Sequence, residues 1–190
     1  RSIRDLANPR FRGQATIANP LFGTTTMHVG ALFAVWGEER TRGFLQALRA
    51  NDVRIASSNG EVKRLVVGGE VAFGLTDTDD ANEALRDGAN VEVVYPDQDE
   101  LGTLVMPTSV VLLRRAPHPE AGRRLIDYLL SPAVERQMAE RAAHMPLRAG
   151  VPTPANVRTA EGLRLMEVDY ARISEQIEAQ QGWLRQWVGL

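Results

Sequence analysis

A chain of 190 residues with 44% hydrophobic and 24% charged side chains carries enough apolar material for a sizeable buried core. Its formal charge of −2 leaves no clustered basic excess for a phosphate backbone, so nucleic acid is not expected as a partner. The absence of cysteine removes disulfides, thiolate nucleophiles and thiolate-held metals, and no run of about 18 apolar residues offers a membrane span.

The opening Arg1-Ser2-Ile3-Arg4 shows neither a methionine nor a leader pattern, which reads as a processed or truncated piece. A polar, turn-rich stretch over 8–13 precedes a short strand at 15–18, which Asn19-Pro20 closes. Gly23-Thr24-Thr25-Thr26 then leads into a helix over 27–36 that is apolar on nearly every face. The threonine hydroxyls either cap that helix or, with its free N–H groups, make an anion site.

A second helix over 38–51 buries Phe44, Leu45 and Leu48, and a strand follows at 53–56. Ser57-Ser58-Asn59-Gly60 punctuates the chain, and Ser58 or Asn59 can cap a short helix with Val62, Leu65 and Val66 on its buried side, which Gly68-Gly69 stops. Residues 71–75 form another apolar strand, and the chain turns polar at Thr76-Asp77-Thr78-Asp79-Asp80. A further helix is expected over 81–86, with Asp79 or Asp80 as its cap in the plainer reading. Strand, helix, helix, strand, helix, strand specifies a mainly parallel sheet, so the three polar corners belong at one sheet edge, the usual place for a ligand in an open α/β fold.

Beyond the sheet, 91–95 reads as another strand and 96–102 as an acidic, solvated turn. The apolar runs 104–106 and 110–113 read as crossing strands. From Glu120 the pattern becomes helical: Leu125, Ile126 and Leu129 share a face, and Ser131-Pro132 opens the next helix. Thr159 and Asp169 are the expected caps of the last helices, the second with Ile173, Ile177, Leu184 and Trp187 on one stripe.

Several familiar sites are excluded. The 77–88 stretch has Asn82 and Gly88 where an EF-hand needs its glycine and its bidentate glutamate. His28, His118 and His144 lack metal-binding spacing, and no dinucleotide fingerprint, phosphate loop or nucleophile elbow occurs. An α/β enzyme using Asp79 or Asp80 as base or metal ligand is the alternative, and it requires a partner such as His28 within hydrogen-bonding reach.

The order of Asn8–Gly13, the turn from Pro20 to Thr26, Gly37-Glu38, Ser58-Asn59, Gly69-Glu70, the loop from Thr76 to Asp80, the helices after Glu120 and Pro146-Leu147 resembles extracytoplasmic solute-binding proteins of bacterial ABC importers, in particular the ferric-iron-binding group. That resemblance implies a non-enzymatic, periplasmic protein with a two-lobed, hinge-closing α/β fold of the periplasmic-binding type, which delivers a small-molecule or metal ligand to a membrane permease without inserting into the bilayer. It further implies that 11–100 is one complete lobe, 101–115 the crossing and 116–190 part of the other lobe, whose amino-terminal half is absent; half of the ligand contacts are then missing and binding is weak. The implied ligand residues are Thr24, Thr25, Ser58, Asn59 and Thr78 for an anion, with Asp79 and Asp80 for an amine, Fe3+ or another hard cation. The iron-binding members place adjacent tyrosines where Asp79 and Asp80 stand, and Tyr95, Tyr128 and Tyr170 are not adjacent to one another.

Overall fold

The computed structural model describes residues 1–155 and 157–190. It divides into two compact units, Arg1–Leu104 with Arg164–Leu190, and Val105–Leu163.

The first unit is built on three parallel strands, β1 (Ala15–Ala18), β2 (Arg54–Ala56) and β3 (Phe73–Leu75), in the order β2-β1-β3. The sequence order of strands and helices is as expected. Between the strands run α1 (Gly23–Trp36), α2 (Glu38–Ala50) and α3 (Asn59–Val67), and α4 (Thr78–Arg86) follows β3. Every residue of β1 is buried, and alternation along it decides what each face covers. Ala15 and Ile17 pack with Val29 and Phe33 of α1 and Leu45 and Leu48 of α2. Ala18 joins Ala56, Val62 and Leu65 in the layer made by α3. Glycine is required at Gly74, where a Cβ would sit 2.5 Å from Val62 Cγ1 and 2.8 Å from Thr16 Cγ2, so α3 lies directly on the strands.

The last helix, α7 (Tyr170–Val188), is capped by Asp169, whose carboxylate accepts from the N–H groups of Ala171 and Arg172. Its stripe is buried as expected at Ile173, Leu184 and Trp187. It returns to the first unit: Ile173 and Ile177 meet α1, and the Trp187 indole N–H donates to the Leu45 carbonyl at 3.1 Å. Residues 164–190 lie in the first unit, and α7 adds Leu184 and Trp187 to its core.

Four expectations are corrected. Residues 91–95 form no strand, since among the described residues no backbone pairs with them as a ladder, and Val94 is exposed. The runs 104–106 and 110–113 likewise lack a ladder, with Val111 and Leu113 exposed. Thr159 caps no helix, because 159–169 is turn and irregular chain up to Asp169. The threonines at 24–26 do not cap α1, because the helix begins four residues earlier than expected, at Gly23, which puts them inside its first turn, with Phe22 at the cap position and no side-chain cap.

The second unit holds α5 (Pro119–Leu129) and α6 (Pro132–Ala142). Ser131 caps α6, accepting from Val134 N–H. The Glu135 carboxylate then accepts from the N–H groups of Leu147 and Arg148 at 2.6 and 3.1 Å, which folds the following segment back on α6. The face of α5 carrying Leu125 and Leu129 is exposed, as are Tyr128 and Leu147.

Candidate functional site

Because the three strands are parallel, their carboxyl ends lie at one edge and deliver the amino ends of α1, α3 and α4 there. Three polar corners, with Thr24 and Asn59 35 residues apart and Asn59 and Asp77 18 apart in sequence, thereby become neighbours. Asn59, the first residue of α3, ties them together. Its Nδ2 donates to Thr24 Oγ1 at 2.7 Å and to Asp77 Oδ2, and its Oδ1 accepts from Thr25 Oγ1 at 3.5 Å. Thr24 Oγ1 also lies 3.3 Å from Asp77 Oδ2, and Thr76 Oγ1 donates to the Asn59 carbonyl at 3.4 Å.

The other expected residues fall in three places. Ser58 caps α3 through Glu61 N–H, so its hydroxyl holds the helix. Thr78 and Asp79 occupy the first turn of α4, Thr78 half-buried and Asp79 exposed. Asp80, also in that turn, is ion-paired: its Oδ1 is 3.1 Å from Lys63 Nζ, and both side chains are about four-fifths buried (19% and 21% exposed). Lys63 bonds Glu83 as well, and Glu83 and Asp80 together hold its ammonium above the ordinary lysine range.

Asp77 is the residue that reasoning from sequence passed over. Placing the helix start at Ala81 made Asp79 and Asp80 the capping residues, but α4 begins at Thr78, which puts Asp77 at the cap position and the other two inside the first turn. An acidic first turn suits the positive end of the helix dipole, and that was the available signal. Asp77 nevertheless makes no side-chain cap bond to its own helix. One carboxylate oxygen is spent on Asn59 and Thr24, and Oδ1 is buried with no partner. Burial, then the neighbouring Asp79 carboxyl, push Asp77 up to about 6; the Asn59 amide acts in the opposite direction.

The donor set does not complete a ferric shell on this chain. The 76–80 loop holds no phenolate, Tyr128 lies in the second unit, Tyr170 is exposed at the start of α7, and among the described residues no group of three or more histidine, aspartate or glutamate side chains gathers as a metal site. The histidine that the enzyme alternative requires is not paired with either acid: His28 Nε2 is buried without a hydrogen-bond partner. The geometry is that of a binding corner, with uncapped N–H groups at the starts of α1 and α4, neutral hydroxyl and amide groups, and carboxylates.

A family model described as bacterial extracellular solute-binding protein matches residues 1–176. The chain belongs to that family. A Salmonella typhi protein named as a candidate 2-aminoethylphosphonate-binding periplasmic protein is 26% identical over 98% of this chain and 53% of its own length. Iron uptake protein A1 of Synechocystis is 27% identical over 82% of this chain and 46% of its own length. Among solved structures, iron-bound HitA from Pseudomonas aeruginosa superposes with a TM-score of 0.85 at 24% identity, covering 100% of this chain and 61% of that one. A ferric binding protein from Campylobacter jejuni gives 0.84 at 16% identity, covering 98% and 62%. These likenesses establish the periplasmic-binding α/β fold. The chain spans about half the length of the curated relatives it matches. The comparisons give no support to the enzyme alternative. No helix among the described residues is long and apolar enough to cross a membrane.

Proposed function

We propose that this chain is part of the solute-binding component of an ABC importer, acting outside the cytoplasmic membrane and handing a small solute to a permease. The observation that carries the reading is the Asn59 side chain, which bonds to both Thr24 and Asp77 and so joins all three strand-end corners into one site. The relatives support the class, and the residues support an oxyanion-bearing organic solute over bare iron: the corner offers hydroxyls, an amide and helix N–H groups but no pair of phenolates. A phosphonate of the kind in the Salmonella relative's name fits that donor set. Thr24, Thr25, Asn59 and Thr78 would face the oxyanion. Asp79 would remain for the ligand's positive end, whereas Asp80 is already paired with Lys63.

On this reading 11–100 forms the ligand-bearing lobe, 101–115 is the crossing, and the helices from 116 onward contribute to the opposite lobe until α7 returns. Titration with 2-aminoethylphosphonate, inorganic phosphate and ferric citrate, followed by nuclear magnetic resonance of the Asn59 side-chain amide, tests the site. An organic phosphonate should shift that signal, and Asn59→Ala should weaken the interaction by about tenfold, the value of one charge-assisted hydrogen bond. Unchanged affinity in both Asn59→Ala and Asp79→Ala would dismiss this corner as the ligand site.

A further inference from the structure

Apolar burial does little to hold α4 in place. Of its nine residues only Asn82 and Ala84 are buried, and Leu85 is exposed. One buried methyl group removes little area from water, so polar contacts decide where this helix lies. Those contacts run to one face of α3. Just before α4, Thr76 Oγ1 donates to the Asn59 carbonyl at 3.4 Å, and Asn59 Nδ2 donates to Asp77 Oδ2. One turn further along α3, Lys63 Nζ stands 3.1 Å from Asp80 Oδ1 and also bonds Glu83. Asn59 and Lys63 are four apart on α3, and Asp80 and Glu83 three apart on α4, so each pair lies on one helix face and the helices meet at two successive rungs. The Asp80 carboxylate lies against the glycine between those rungs, where a Cβ at Gly60 would come 3.4 Å from its Oδ1.

We infer that Lys63 is a positioning residue of the corner: by holding Asp80 it fixes the first turn of α4 against α3 and so keeps the Asp77 carboxylate on the Asn59 amide. The inference rests on the binding site proposed above and names what keeps that site assembled. Lys63 and Asp80 are both largely buried, so their pair is screened less than a surface ion pair and holds its geometry. Glu83 is exposed and lies a turn further from the site, which leaves Asp80 as the partner that fixes the first turn. The ammonium also opposes a local repulsion, since Asp79, Asp80 and Glu83 stand three or four apart as like charges and loosen this turn without it.

The test follows the Asn59 side-chain amide of the full chain by nuclear magnetic resonance, where exchange with solvent reports whether Asp77 and Thr24 still hold it. Lys63→Met should accelerate that exchange about tenfold and weaken binding of 2-aminoethylphosphonate by a similar factor, between the effects of breaking an exposed and a buried ion pair. Lys63→Arg, whose guanidinium can bond both carboxylates, should stay within about twofold of the native protein. Lys63→Met leaves a largely buried carboxylate unpaired, so the double variant Lys63→Met with Asp80→Asn separates position from stability: it removes the stranded charge and should recover the urea midpoint, but not the slow exchange at Asn59. Native exchange at Asn59 in Lys63→Met, or its return in the double variant together with the urea midpoint, overturns the positioning role. Weaker binding with unchanged Asn59 exchange overturns it too, because Lys63 would then act on the solute by charge alone. A native protein that binds no phosphonate dismisses the binding function, while exchange at Asn59, read without ligand, still decides the role of Lys63.

Discussion

Gly30 of α1 lies so close to Ile177 of α7 that a Cβ at this position would sit 2.6 Å from Ile177 Cγ1 and 3.0 Å from Ile173 Cγ2. Alanine there gains about 1 kcal/mol of helix propensity but overpacks two isoleucines, a cost of about 1–3 kcal/mol. Ile173 is fully buried and has nowhere to go, so overpacking prevails. Gly30→Ala should destabilise the first unit by about 1 kcal/mol and Gly30→Leu by about 3 kcal/mol in urea unfolding, with the slope unchanged. Combining Gly30→Ala with Ile177→Ala should recover part of the loss, because the double variant restores the space at this crossing.

This contact also shows where sequence reasoning ran out. The stripe Ile173, Ile177, Leu184 and Trp187 identifies α7 as an amphipathic helix, but periodicity does not say which core it covers. The information lies in a notch at Gly30, nearly 150 residues away, and a single glycine inside an apolar helix has no distinctive local signal. The parallel sheet was legible because its strands and helices alternate, and alternation plus parallel pairing puts all three polar corners at one edge. The acid that faces those corners was not. Moving the helix start from Ala81 to Thr78 changes which residue stands at the cap position, and this exchanges Asp79 and Asp80 for Asp77. The missing strand at 91–95 has another cause: strand propensity is local, but a ladder requires a second backbone.

His28 lies one turn beyond Thr24 on α1, largely buried, with Nε2 unpartnered. Burial pushes its imidazole down to about 4, and Asp97 offsets that only in part. The unfolded chain therefore binds a proton that the native state refuses between about pH 6.5 and 4, so stability falls as pH drops through that window and levels off below it. The loss is on the order of 3 kcal/mol for a shift of this size. His28→Leu removes the titration and leaves no orphaned nitrogen, so its melting temperature should exceed the native value at pH 5 by several degrees. Near pH 7.5 the two should be close. Parallel melting curves that stay equally spaced from pH 7.5 to 4.5 would place the acid sensitivity elsewhere.

For Asp77 the sign is reversed. Its carboxyl, raised by burial and by Asp79, is protonated in the native state at a pH where the unfolded chain has already released the proton. Ionising it costs stability progressively as pH rises from about 4 to 6, and the whole cost persists above that. Asp77→Asn should accordingly melt higher than the native chain at pH 7.5, with the difference vanishing by about pH 3.5. An unstable Asp77→Asn at pH 7.5 would mean that the hydrogen bonds from Asn59 and Thr24 depend on the charge and outweigh its burial cost.

Gly102 adopts φ 82°, and a Cβ on it would fall 2.5 Å from the Leu165 carbonyl carbon and 2.7 Å from Met166 N. Both obstacles are backbone, so no rotamer change can relieve them. The residues involved form a small parallel bridge between Thr103 and Leu165, closed by Thr103 N–H to the Arg164 carbonyl and Met166 N–H to the Thr103 carbonyl, each 2.9 Å. Gln98 seals it, donating to Thr103 Oγ1 at 2.9 Å while its carbonyl accepts from Arg164 N–H at 2.8 Å. The chain leaves the first unit after Leu104 and rejoins it at Arg164, so this bridge fixes both crossings side by side. Alanine at 102 combines left-handed strain of about 1 kcal/mol with a backbone overlap worth more, and Gly102→Ala should cost at least about 3 kcal/mol. Amide hydrogen exchange at Thr103 and Met166 should accelerate in that variant while exchange in β1 stays comparatively slow, since the sheet core does not depend on the bridge. Acceleration of the same size in β1 would show that the bridge is part of the global folding unit instead of a separately opening joint.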